Sequence, residues 1–115
     1  MLSPKKTEHF KQLLETRIAE LERGLRTTER EARTSGAKHA DPADQAASEY
    51  ERQTLAHQAA SARQTLKALK EALNFLQAGR FGECAECGGD IELKRLEAIP
   101  WARYCLKCQE AQEGR

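Results

Sequence analysis

Four cysteines, arranged as two CxxC pairs, are the residues of this 115-residue chain best suited to chemistry. Cys84 and Cys87 form the first pair and Cys105 and Cys108 the second, with 17 residues between the pairs. Zn2+ takes four thiolate or imidazole ligands in a tetrahedron, and a CxxC turn presents two sulfurs on one side. The spacing falls in the structural-zinc range. Gly88 and Gly89 after the first pair permit the tight backbone of a metal knuckle. Two local disulfides or a redox CxxC are the alternatives. A reduced compartment disfavours the first, and no βαβ pattern surrounds either pair to suggest the second. One structural Zn2+ is the expectation. Four cysteine ligands leave no open position for a catalytic water, so zinc chemistry on a substrate is not expected. His9, His39 and His57 lie far from the knuckles in sequence and read as surface residues.

A second candidate lies well before the cysteines. The stretch "HADPADQAA", from His39, carries Asp41 and Asp44 around Pro42. Locally it is a complete helix start, with Asp41 as N-cap, Pro42 at the first helical position and Asp44 at the third. Residue physics alone makes capping a sufficient role for both carboxylates.

The elements that position these groups follow from periodicity. Residues from about Pro4 to Arg33 read as one helix, with Ser3 as N-cap. Leu14, Ile18, Leu21 and Leu25 recur at alternating steps of four and three, and Thr28 and Ala32 continue the phase more weakly. "TSGAKHA", residues 34–40, interrupts the pattern. A second helix from "DPAD" carries Leu55, Ala59, Ala62, Leu66, Leu69, Leu73 and Leu76 in the same rhythm. A short connection folds two such helices back antiparallel. One continuous dimerising helix is disfavoured by Gly36 and Pro42. Folding about residue 38 or 39 puts Ala59 and Ala62 opposite Ile18 and Leu14. Gly79 ends the second helix as a C-cap. Phe81, Ile91, Leu96, Ile99 and Trp101 then read as a small core clamping the last leucines, with Trp101 packing rather than binding a cofactor. The expected fold is mainly α: an antiparallel coiled-coil hairpin over 1–78 with its tip at about 34–46, then a four-cysteine zinc lobe and short C-terminal helix over 79–115.

Composition excludes several classes. Lys and Arg number 19 against 18 Asp and Glu, a formal net charge of +1, so the broad basic field of a phosphate-gripping protein is absent. Between Arg80 and Glu110 five basic residues face six acids, and four thiolates around Zn2+ add about two negative charges. The N-terminal stretch lacks the apolar core of a signal peptide, and no apolar run approaches the roughly 20 residues that span a bilayer. A cytoplasmic protein, without sequence-specific nucleic acid or membrane as partner, is expected. No catalytic histidine, nucleophile elbow or phosphate loop suggests an enzyme.

"FGECAECGGDIELKRLEAIPWARYCLKCQE" resembles the zinc-finger signature of the DksA/TraR family, and "DPADQAA" resembles that family's acidic tip motif. The likeness runs through hairpin, tip and zinc lobe in order, as in a short DksA-like paralogue. It implies a monomeric factor of the stringent response that binds bacterial RNA polymerase directly. The coiled coil would enter the secondary channel, with Asp41, Asp44 and Ala46 at the tip facing the active site. Capping and this role are compatible, and some 30 helical residues give the tip a reach on the order of 45 Å. Two other readings stand beside it: a Gre-like transcript cleavage factor whose paired tip acids hold Mg2+, or a zinc-stapled adaptor with an inert tip. Family members that act with ppGpp carry basic residues at positions where this sequence has Ala68, Ile99 and Gln109, so a weak or absent ppGpp response is expected.

Overall fold

Two long helices, α1 (Pro4–Thr34) and α2 (Pro42–Gln77), form an antiparallel coiled-coil hairpin. Two short helices, α3 (Leu93–Ala98) and α4 (Leu106–Glu113), belong to the cysteine-bearing segment. The computed structural model describes residues 2–34 and 42–114. The expected break spans 34–40, but Thr34 is the last residue of α1. Residues 35–40, with His39 among them, and the N-cap role given to Asp41 lie outside the described residues. Among the described residues no helix is long and apolar enough to cross a membrane.

The start of α1 is the expected one. Lys6 N–H donates to Ser3 Oγ at 3.2 Å, which satisfies one of the orphan donors of the first turn. Close contacts divide the chain into two compact units: Met1–Ile18 with Lys67–Arg115, and Ala19–Leu66.

In the Ala19–Leu66 unit the seam closes as periodicity predicts. Leu25 and Ala59 are buried, and Leu21, Thr28, Leu55, Ala62 and Leu66 are half-buried. The register differs from the expectation. Arg63 Nη2 donates to Glu29 Oε1 at 2.7 Å. With Ala62 opposite Leu14, Glu29 would stand sixteen positions from Arg63's counterpart, about 24 Å away. Two side chains cannot bridge that distance. Interdigitation along the seam sets the register of a helical hairpin, and the midpoint of its connection does not.

The Met1–Ile18 and Lys67–Arg115 unit holds the larger core. Phe10, Leu14, Leu69 and Leu96 are each at most 1% exposed, and Ala72, Leu76, Ile91 and Pro100 are buried with them. The rings of Phe10 and Phe81 meet with centroids 5.1 Å apart. Sequence reasoning gave the last leucines of α2 to the zinc lobe alone. Phe10 and Leu14 of α1 share their unit and supply part of that packing. Phe10 stands one turn before Leu14, on the same stripe.

Gly79 stops α2 as expected. Arg80 N–H donates to Phe75 O at 2.8 Å and Gly79 N–H to Leu76 O at 3.1 Å, the paired bonds of a Schellman motif. Gly79 has φ +76°, and a Cβ placed there would meet no atom within 4 Å. Gly79→Ala therefore carries only the left-handed backbone penalty. It should lower stability by about 1–2 kcal/mol in urea denaturation. An unchanged midpoint would show that the helix end relaxes without cost.

Candidate metal centre

Each cysteine pair is built by its local backbone. In the first, Cys84 N–H donates to Gly89 O at 2.7 Å and Gly88 N–H to Cys84 O at 3.0 Å. An antiparallel bridge between Glu83 and Asp90 closes the loop. Gly88 takes φ +74°, the left-handed turn that brings Cys87 back toward Cys84. Gly89 contributes its N–H, 3.4 Å from Cys87 Sγ. The second pair uses a helix: Cys105 is the N-cap residue of α4, and Cys108 lies in its first turn. Ala85 N–H donates to Arg103 O at 2.7 Å and ties the two knuckles together.

The four sulfurs converge. All lie within 4.8 Å of one another, and Cys87 Sγ and Cys105 Sγ are 3.9 Å apart. A tetrahedral Zn2+ with bonds of about 2.3 Å separates its sulfurs by about 3.8 Å. A disulfide needs about 2.05 Å, and the cysteines are free. The cluster fits one structural zinc, held by Cys84, Cys87, Cys105 and Cys108.

The electrostatics suit a cation. Backbone hydrogen bonding, that of Cys87 first and then of Cys105 and Glu86, holds the Cys84 thiol down at about 6 despite burial. The Cys105 thiol, burial and the remaining sulfurs push Cys108 up to about 12. Four thiols at this spacing cannot all ionise without a cation among them. A bound metal supplies that charge and displaces the remaining protons. Four sulfur donors from closely tied backbone make a structural site.

Trp101, expected to pack, is half-buried and stands on the wall of a groove of about 550 Å3 that runs along the first knuckle. Ala68, Ala72, Phe75, Cys84 and Arg103 also line it. Ile99 and Gln109 are half-buried. His57 is exposed, as expected. His9 is half-exposed and does more than face solvent. Its Nε2 lies 2.9 and 3.1 Å from the two carboxylate oxygens of Glu97, which ties α1 to α3. Sequence held no signal for this pair, since α3 itself was read only as packing material.

The other sequence-derived candidates belong to the Ala19–Leu66 unit. Asp44 is exposed and is the acidic residue of α2's first turn; Ala46 is exposed one half-turn later. Asp41 lies outside the described residues.

Residues 79–114 match the family described as the prokaryotic dksA/traR C4-type zinc finger. A 47% identical stretch of 49 residues is shared with an uncharacterized protein of Aquifex aeolicus, covering 43% of this chain and 34% of that protein. The "RNA polymerase-binding transcription factor DksA" of Caulobacter vibrioides is 33% identical over 99% of this chain and 80% of its own length. Among solved structures, the transcription factor DksA2 from Pseudomonas aeruginosa superposes with a TM-score of 0.86 at 31% identity. That match covers 98% of this chain and 87% of the other.

Proposed function

This chain belongs to the DksA/TraR zinc-finger family, and on that footing we propose that it is a cytoplasmic transcription regulator acting as a monomer directly on bacterial RNA polymerase. The hairpin, residues 1–78, enters the secondary channel tip first, and the lobe, residues 79–115, holds its base without specific DNA contact. The observation that carries this reading is the likeness to a polymerase-binding factor over 99% of this chain, with the fold of a solved DksA2 and the four clustered cysteines beside it. It is the likeness of a binding factor, not of an enzyme.

Asp41, Asp44 and Ala46 are the residues assigned to the polymerase active site. The exposed carboxylate of Asp44, at the start of α2, is free to act outside the hairpin. The decisive experiment is transcription from a ribosomal-RNA-type promoter by purified polymerase, with and without this protein. A protein-dependent change in initiation, without DNA binding by the protein alone, supports the reading. No polymerase binding would leave a zinc-stapled adaptor.

The ppGpp response is expected to be weak. Ala68, Ile99 and Gln109 carry no charge, and a polyphosphate ligand owes much of its affinity to charge-assisted hydrogen bonds, roughly twice as strong as neutral ones. Titrating ppGpp into the promoter assay, with polymerase lacking its other alarmone site, should add little to this protein's effect. Strong enhancement, lost on changing Lys67 or Lys107, would place the contacts on neighbouring residues.

A further inference from the structure

Helix α1 sorts its charges by face. Each residue turns by about 100°, so Arg23, Arg26 and Arg30, at steps of three and four, share one side. That side lies opposite the seam of Leu21, Leu25 and Thr28, and no Asp or Glu falls between the three arginines on the wheel. Glu29 instead turns toward α2, where it pairs with Arg63. All three arginines are exposed, and neither the Arg23 nor the Arg26 guanidinium has an ion pair or hydrogen bond among the described residues.

A solvated coiled-coil exterior ordinarily mixes signs along each face. Like charges three or four apart destabilise a helix by roughly 0.2–0.5 kcal/mol per pair. Arg23 and Arg26, three apart and both exposed, thus work against α1 with no ion pair of their own among the described residues. Guanidinium forks match carboxylates in geometry and charge. A nucleic-acid strand fits less well. Glu22, Glu29 and Glu31 stand within one residue of the row's ends, where a phosphate backbone would meet them.

We propose that Arg23, Arg26 and Arg30 are a docking stripe for carboxylates on the RNA polymerase surface that the hairpin enters. The stripe rests on the function proposed above and adds the chemistry of the contact. Its three charges span two turns, about 10 Å, and steer and orient the hairpin without sharing in the work of the tip.

Equilibrium binding of the full chain to purified core RNA polymerase, over a range of KCl, tests it. The double variant Arg23→Glu/Arg26→Glu should bind about tenfold more weakly at low salt and with a flatter salt dependence. Arg23→Gln/Arg26→Gln, which keeps good helix formers, should fall between the two. At saturating concentration both variants should alter promoter activity as fully as the wild type. Equal affinity and salt slope in the variants would overturn the stripe. Arginine-dependent binding of the wild type to a short DNA duplex would reassign it to nucleic acid. If the wild type bound no polymerase at any salt, the proposed function would fall and the stripe with it, before any variant was compared.

Discussion

Cys84→Ser should unfold the cysteine-bearing lobe while leaving most of the long helices intact. Cys84 is 3% exposed, and its backbone is held on both sides by Gly89 and Gly88. Apart from that sulfur cluster, residues 79–114 contain two short helices, one isolated bridge and few buried apolar residues: Ile91, Leu96 and Pro100. A core that small does not fold without a staple, and in such modules metal-binding free energy is folding free energy. Loss of one of four sulfurs should therefore abolish stoichiometric zinc and expose Leu69 and Leu76 on α2. Trp101, the one tryptophan, stands beside the first knuckle and reports the change. Its emission should shift to the red in the variant, and in the wild type after chelation, while far-UV helix signal from α1 and α2 largely persists. Much less than one zinc per chain in the wild type, with Trp101 emission indifferent to chelator, would refute the staple.

How legible was this arrangement? Leucine periodicity revealed both long helices, because a coiled-coil seam repeats often enough to outweigh local noise. The cysteine spacing revealed the metal cluster, because tetrahedral thiolate binding demands two knuckles and little else. Features that depend on contacts between distant residues were not visible. The register of the hairpin was misjudged, since Arg63 and Glu29 carry no mark in sequence of meeting each other. His9 and Glu97 are 88 positions apart, and their pairing needs the lobe already folded. Ser48 is buried at 6% exposure, seven positions before Leu55 and in phase with it. A hydroxyl at a seam position is invisible to a pattern built on apolar residues. Phe10 is another case: one turn ahead of Leu14, it extends the stripe into the core shared with Phe81. The tip presents the opposite problem. Residue chemistry there is complete as a cap, and only likeness to a family supplied a further role.

Asp44→Asn separates those two roles. Asn fits the first turn of a helix nearly as well as Asp, so the change removes charge with little change of shape. Asp44 is exposed at the N-terminal end of α2, where a negative charge favours the helix dipole by about 0.3–1 kcal/mol. Loss of stability should stay within that range in a denaturation experiment, far less than for Cys84→Ser. On the proposed function the consequence for transcription is much larger. The variant should bind polymerase as tightly as the wild type, since the proposed function gives Asp44 an action on the bound polymerase and no part in docking. It should nevertheless lose most of its effect on a ribosomal-RNA-type promoter. Binding and activity must be measured on the same preparation, because only their divergence identifies a group that acts at the end of the hairpin. Were Asp44→Asn to regulate transcription as the wild type does, the carboxylate would be part of a helix start and nothing more. If binding and activity fell together, Asp44 would instead belong to the docking surface.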